Sequence, residues 1–388
     1  MKLKILVSSD KYKGSLSAIQ VCNTIKKAIT GVDKSIEVIV SPMADGGEGT
    51  VSALVGSEKG KYVNLKVTGP LGEPLKARFG IIRDYIAVIE MASASGLVLV
   101  PREKRNPMET TTYGTGELIK KALDMGCRKV IIGIGGSATS DGGLGMAQAL
   151  GYKFYDRKEK LLGSGGKELA NLYRIDASNI HKSIPFCQFD AVCDVWNPLT
   201  GVNGAAYVYA AQKGADNLMV KELDKGLSNF SKVIKKELGK DVSELKGAGA
   251  AGGLGAGLAA FLNATLRRGT DIVIEATRLE DKIKDADLVI TGEGALDRET
   301  FFGKSVYGIG KLAKKYNIPV ITINGSVLVK REGVTKSYPD LIDGNFSIIN
   351  SPMSLSEAVE NAEKLLENAT KELITFYLGV IKKGKHIK

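Results

Sequence analysis

Residues 129–143 read KVIIGIGGSATSDGG, and the order of residue types in this stretch decides the fold class. The apolar run Val130, Ile131, Ile132 is predicted as a buried strand. Gly133, Gly135 and Gly136 then mark a loop at its carboxyl end, and small hydroxyl residues with Asp141 follow. A buried strand that ends in a Gly- and Asp-rich loop and gives way to a helical pattern is the repeating unit of a parallel α/β sheet. The same succession recurs along the chain. Strands are predicted at 3–7, 37–40, 87–90, 129–134, 287–291 and 319–323, with helical periodicity at 15–29, 116–125 and 306–316. A last helix is announced by a capping box, Ser354 with Glu357. Its packing face is predicted as Leu355, Val359, Ala362, Leu366, Ala369, Leu373 and Phe376.

At 388 residues the chain is long for one core and comfortable for two. No Pro- or Ser-rich hinge separates two halves, so one α/β domain is expected to be inserted into, or interleaved with, the other. The expected boundaries fall near Tyr62 and Ile283: residues 1–62 with 284–388 form a domain built from both chain ends, and 63–283 form the inserted one. The uncharged stretch 247–266 is long enough to cross a membrane. Its bulk comes only from Leu254, Leu258, Phe261, Leu262 and Leu266, the remainder being largely Gly and Ala, so the expectation is a helix packed inside the protein.

The formal net charge is +11, but the lysines alternate with acids, as in KVIKKE (232–237). The one basic run, KKGKHIK (382–388), lacks interleaved aromatics. No nucleic-acid partner and no membrane partner are therefore expected, and a positive field would steer an anionic small molecule. Cys22, Cys127, Cys187 and Cys193 have neither metal-ligand spacing nor a disulfide framework, and MKLK leads directly into a strand, so a reducing cytoplasm is expected. Only His181 and His386 are available, which excludes a Ser-His-Asp hydrolase and a His-ligated zinc enzyme.

Four strand ends share Gly, a small hydroxyl residue and Asp: SSDKYKGS (8–15), MADGGEGT (43–50), GGSATSDGG (135–143) and TGEGALD (291–297). CDVWNP (193–198) adds a fifth acidic loop. Glycines let backbone N–H groups approach phosphate oxygens, carboxylates hold Mg²⁺, and a lysine such as Lys13 or Lys304 neutralises phosphate charge. Each loop alone is equally a set of turns and helix caps. Five of them in one chain favour phosphoryl transfer to a small anion. Asp45 and Glu48, bracketing two glycines, are the most suggestive pair. GAGAAGGLG (247–255) could wrap a phosphate through Gly252 and Gly253, or could serve close packing. No Walker A sequence is present, because Arg298 stands where GKS (303–305) would need its leading glycine. The alternative is an NAD-dependent oxidoreductase acting on a small hydroxy acid. It rests on the strand running into GIGGSA (133–138) with a helix and a further strand ending at Asp156 behind it.

These loops together resemble the bacterial type-1 glycerate kinases over essentially the whole chain. The resemblance rests on KGSLSA (13–18), PMADGGEGT (42–50), TTYGTGEL (111–118), 133–143, Cys193-Asp194 with NPLTG (197–201), NGAA (203–206), QKGA (212–215), 247–257 and 290–297, in that order. It implies two α/β domains, one with a Rossmann- or flavodoxin-like parallel sheet. It also implies transfer of the ATP γ-phosphate to D-glycerate, usually giving 2-phosphoglycerate, with Mg²⁺ required. On this reading of the loops, Asp45 and Asp194 are expected around Mg²⁺ or the acceptor hydroxyl, one of them orienting or deprotonating it, with Asp297 a third candidate. Lys13 and Lys304 would neutralise anionic charge, and Gly135, Gly136, Ser137, Gly252 and Gly253 would hold phosphates. Family members often carry Arg where Ala295 stands, and Arg298 could supply that charge. Oligomeric state is left open, a homodimer included.

Overall fold

The computed structural model describes residues 2–44, 49–298, 300, 303–328 and 341–384. Its contacts divide the chain into two compact units. One comprises Met1–Asp45, Ser52–Ser57 and Val273–Lys388, the other Gly46–Val51 and Glu58–Ile272.

The first unit is built on five strands, β1 (Lys4–Val7), β2 (Glu37–Val40), β11 (Leu288–Thr291), β13 (Val320–Asn324) and β15 (Gly344–Ser347). They lie in the order β15-β13-β11-β1-β2 and every pairing is parallel. Counted along the chain this is the 2-1-3-4-5 order of flavodoxin-like doubly wound sheets. Helices cover both faces of such a sheet, so its central strands read as unbroken apolar runs, as KILV and LVIT do. The first helix, Ala18–Val32, starts at Ser17, whose hydroxyl accepts from the Gln20 amide while Gln20 reaches back. It turns Val21, Cys22, Ile25 and Ile29 onto Ile5, Val7, Leu288 and Ile290, with Leu366 and Ile374 of the helix Ala362–Gly384 closing the cluster.

The C-terminal helix differs from its sequence reading. The Ser354–Glu357 capping box forms, but the helix it opens, Leu355–Glu360, stops at Asn361, and Ala362–Gly384 is a separate segment. Leu355 and Phe376 are exposed, and the buried face is Ala362, Leu365, Leu366, Leu373 and Ile374. At 100° per residue Phe376 falls between Ala362 and Leu365 around the helix, so its exposure follows from its place along the helix and not from its angle.

The second unit holds a six-stranded sheet, β10-β9-β6-β5-β4-β3. A meander of β3 (Lys61–Thr68), β4 (Pro74–Ile82) and β5 (Ile86–Glu90) runs antiparallel. From β5 onward, β6 (Lys129–Gly133), β9 (Gln188–Val192) and β10 (Thr265–Arg267) are parallel. Leu118, Ile119, Leu144, Phe154, Phe230, Leu254 and Phe261 pack with Val130 and Ile132 in one core.

The stretch 247–266 is not one helix. Gly252 (φ +69°) and Gly253 (φ +89°) hold a left-handed turn before a nine-residue helix, Leu254–Leu262. Asn263, also left-handed, ends it, and Leu266 belongs to β10. Among the described residues no helix is long and apolar enough to cross a membrane. The strand following 133–149 also departs from the dinucleotide pattern. β7 (Lys153–Tyr155) pairs antiparallel with β8 (Arg174–Asp176) in a sheet of its own, so the parallel βαβ unit that an NAD site needs does not form there. A third small sheet pairs β12 (Ala295–Leu296) with β14 (Ser326–Val327).

Candidate active-site loops

In a 2-1-3-4-5 sheet the ligand crevice lies beyond the carboxyl ends of the first and third strands, where successive connections leave in opposite directions. In the first unit these are β1 and β11, and their loops are stitched together. Ser8 N donates to Ile290 O (2.8 Å), Asp10 N to Gly292 O (2.9 Å), and Ser9 Oγ to Gly292 O (2.8 Å). A Cβ on Gly292 would stand 1.8 Å from Ile323 O, so no side chain fits there. Tyr12 and Leu16 exchange backbone hydrogen bonds across a turn with Gly14 at φ +79°, and Tyr12 OH donates to Ile323 O at 2.7 Å. Lys13 is thereby exposed at the turn, with its amide against Gly294.

The carboxylates of this crevice differ in how they are held. Asp10 accepts from Lys11 N (2.7 Å) with one oxygen and from Ser305 Oγ (2.7 Å) with the other. Ser305 opens the helix Ser305–Lys315, and Lys304 is its extended N-cap residue. Asp297 N donates to Thr300 Oγ1 (3.1 Å), and Thr300 N donates back to Asp297 Oδ1 (3.2 Å). The Thr300 hydroxyl donates to Glu293 Oε1 at 2.5 Å. Burial pushes the Glu293 carboxyl up to about 7. Thr300 and Lys304 act to lower it, and the neighbouring Asp10 and Asp297 raise it further. Asp297 and Lys304 are thus brought into electrostatic reach of Glu293, a residue the sequence reading did not single out. Its signal was a Glu set between two glycines directly after a four-residue buried strand.

In the second unit the loop after β6 divides into an open turn and a buried floor. Gly135 and Gly136 are exposed, with Gly136 at φ +74°. The turn is tied to the chain at 95–97 by Leu97 N donating to Gly136 O (2.8 Å) and Ala138 N donating to Ser95 O (3.0 Å). The amides of Gly135, Gly136 and Ser137 have no acceptor among the described residues. Successive free amides around a left-handed glycine are the geometry of an anion cradle. Gly252 and Gly253 lie behind it and are buried. A Cβ on Gly252 would come 2.0 Å from Thr139 O, and Gly142 N donates to Gly252 O (3.1 Å). Close packing therefore accounts for both glycines, and they brace the loop rather than face out of it.

Two ionisable groups form the floor. Asp141 is fully buried and accepts from Thr112 N (2.8 Å), Thr112 Oγ1 (2.8 Å), Gly143 N (3.1 Å) and Gly145 N (3.3 Å). Burial raises its pKa against the pull of those bonds. It caps the helix Leu144–Ala149 and ties it to the start of Tyr113–Asp124. Lys213, only 1% exposed, donates to Thr139 O at 2.6 Å. Burial lowers it to about 7, offset in part by Asp141. Thr139 Oγ1 and Ser140 Oγ are buried beside this contact with no partner among the described residues.

Asp194 leaves the end of β9, the strand next to β6, and is exposed, its Oδ1 accepting from Gly269 N at 3.1 Å. Gly269 begins the helix Gly269–Ala276, so Asp194 also serves as an anionic partner for that helix start. Asp45 lies outside the described residues. The chain just beyond it is anchored by Glu90 Oε1, at the end of β5, which accepts from Gly49 N (3.1 Å) and Val51 N (2.8 Å).

Strand-end loops with free amides, lysines and carboxylates define an anion-handling α/β enzyme of the phosphoryl-transfer kind. Comparison with known proteins narrows the class. The sequence profile of the glycerate kinase family matches residues 5–378. The glycerate kinase of Halalkalibacterium halodurans is 47% identical over 370 residues, 95% of this chain and 97% of that one. The glycerate 2-kinase of Escherichia coli K12 is 46% identical over 384 residues, 98% of this chain and all of the other. The crystal structure of a protein assigned as glycerate kinase 2 from Salmonella typhimurium LT2 superposes with a TM-score of 0.89 at 43% identity, each chain covered in full. The chain belongs to the glycerate kinase family, and its activity at that level is phosphoryl transfer to glycerate.

Proposed function

We propose that the chain transfers the γ-phosphate of ATP to the 2-hydroxyl of D-glycerate with Mg²⁺, yielding 2-phosphoglycerate and ADP. The observation that carries the donor half is the turn 135–137, exposed at Gly135 and Gly136, whose three amides lack acceptors among the described residues and whose Gly136 is left-handed. A phosphate group fits that cradle. The product isomer follows the name of the Escherichia coli relative.

In this reading Gly135, Gly136 and Ser137 hold phosphate through their N–H groups, and Gly252 and Gly253 keep the turn in shape from behind. Lys13 and Lys304, exposed on the loops after β1 and β11, neutralise phosphate or the glycerate carboxylate. Asp45 and Asp194 are the Mg²⁺ ligands, and Asp297 orients the acceptor. Among the described residues no three His, Cys, Asp or Glu could together cage a metal. Mg²⁺ is ordinarily held by one or two carboxylates with phosphate and water completing its octahedron, so the exposed carboxylate of Asp194 suits it. When bound, the ion would neutralise charge on the transferring phosphoryl group. Four free thiols support a reducing cytoplasm, and the two compact units are proposed as the protein's domains.

The test is ADP release from Mg²⁺-ATP with and without D-glycerate, followed by enolase, which consumes 2-phosphoglycerate but not its 3-isomer. Glycerate-dependent ADP release with an enolase-competent product is the expected result. Release unaffected by glycerate would overturn the acceptor, and a product inert to enolase would overturn the 2-position.

A further inference from the structure

The strand-end carboxylates differ in how many of their lone pairs the protein already occupies. Asp141 is sealed and accepts from four donors. Both oxygens of Asp10 accept hydrogen bonds, from Lys11 N and Ser305 Oγ. Asp297 accepts from Thr300 N, Glu90 from two amides, and Asp194 from Gly269 N. These are bonds that hold a carboxylate in its charged form. Glu293 has a single bond of this kind, on one oxygen only. Its Oε1 accepts one neutral hydroxyl, that of Thr300, and no described residue donates to Oε2. It is half-buried at the end of β11, directly beyond the β1/β11 switch point where a doubly wound sheet collects its ligand. Gly292 and Gly294 flank it. The first has no room for a side chain, and a Cβ on the second would stand 3.1 Å from the Lys13 amide, so the backbone carrying Glu293 is fixed in the crevice.

We propose that Glu293 is the catalytic base, accepting the proton of the glycerate hydroxyl during phosphoryl transfer. This rests on the reading of the chain as an ATP-dependent glycerate kinase. As the hydroxyl oxygen forms its bond to the γ-phosphorus, the bond from that phosphorus to the ADP oxygen breaks. The hydroxyl proton passes to the free Glu293 Oε2 and from there to solvent after product leaves. The environment suits the task. Burial and the adjacent Asp10 and Asp297 favour the protonated carboxyl, so the base sits near neutral pH and can both accept and release a proton. Thr300 fixes the orientation of the carboxyl through the other oxygen. Lys304 keeps the charged form accessible.

The decisive variant is Glu293→Gln, which preserves shape and removes the base. Wild-type kcat is expected to fall below pH 7 along a single ionisation. Glu293→Gln is expected to lose about 100-fold or more in kcat, the lower part of the range for general bases, with KM values within about threefold, an unchanged thermal midpoint and no acidic limb. If the wild type lacks glycerate-dependent turnover, the kinase reading fails and takes this inference with it. If the wild type turns over and Glu293→Gln keeps its kcat within about threefold, or keeps the acidic limb, Glu293 is not the base while the kinase reading stands. Thr300→Val keeps the carboxyl and removes its donor, so it tests the same assignment should the Gln variant not fold. The acidic limb is expected to move to higher pH, and an unmoved limb would overturn the assignment.

Discussion

Lys213→Met removes a buried ammonium while keeping most of the volume, and its effect on stability depends on pH in a way the structure fixes. Burial lowers Lys213 from 10.5 to about 7, a displacement worth about 5 kcal/mol of disfavoured charge. Because the folded-state value is the lower one, the penalty is complete below about pH 7, where both states are protonated. It shrinks as pH rises towards 10.5, where both become neutral. The Met variant lacks the penalty but leaves Thr139 O without its 2.6 Å donor, a loss of about 1–3 kcal/mol. Lys213→Met is therefore expected to be more stable than wild type at pH 6.5 by a few kcal/mol. Between pH 7.5 and 8.5 that advantage should shrink by about 1 kcal/mol, close to one proton released on folding. Urea unfolding followed by tryptophan fluorescence reads this directly, because the chain's single tryptophan, Trp196, belongs to the same compact unit as Lys213. A difference between the two proteins that stays constant from pH 6.5 to 8.5 would refute the reasoning. It would mean that Lys213 remains an ammonium paired with Asp141 in the folded protein.

Gly252→Ala is expected to lower the thermal midpoint by several degrees, since the new Cβ would meet Thr139 O at 2.0 Å and Gly252 sits at φ +69°; an unchanged midpoint would show that the loop can yield. Asp194→Asn, exposed at the end of β9, is expected to fold normally and to lower kcat at least tenfold while raising the Mg²⁺ concentration needed for half activity. Near-wild-type turnover across a Mg²⁺ titration would remove it from the metal site. Leu366→Ala should destabilise by about 2–5 kcal/mol and Phe376→Ala by under about 0.5 kcal/mol, measured by urea midpoint. Equal effects would contradict the burial of the first and exposure of the second.

How far the sequence could be read follows from how local each determinant is. The strands at 129–134 and 287–291, and the Gly- and Asp-rich loops after them, were legible because burial on both faces forces a continuous apolar run and the loop chemistry follows at once. In 247–266 the packed helix was legible from its bulky residues, but the turn before it depends on Gly252 lying against Thr139, more than a hundred residues away in sequence, and Leu266 belongs to the following strand. At the C-terminus the cap forms and the stripe holds over Ala362, Leu366 and Leu373, which are buried, whereas Leu355 lies in the separate helix before the break at Asn361 and is exposed, as is Phe376 further along. The departure at Ala295 falls in β12, where its pairing with Ser326 is a backbone matter indifferent to the side chain, while Arg298 is exposed nearby in the same loop. Lys213 and Glu293 were invisible as special residues because nothing in QKGA or GEG announces burial. Their character comes from neighbours contributed by distant segments, Thr139 and Asp141 for one, Thr300, Asp10 and Lys304 for the other.

The pairing of Ile5 with Leu288 in the central sheet also sets a timetable for biosynthesis. Two strands emerge first from the ribosome, but the neighbour that covers the other edge of β1 is made 283 residues later, about 15–60 s at ~5–20 residues per second. Through that interval Ile5, Leu6 and Val7, fully buried in the finished protein, have no β11 beside them and no C-terminal helix above them. The continuous stretch Glu58–Ile272 meets no such delay, since every strand of its sheet is synthesised before β11 appears. A nascent chain arrested shortly before Leu288 should therefore protect the amides of β6 and β9 from exchange while leaving those of β1 open, the N-terminal strand being the first made and among the last to be secured.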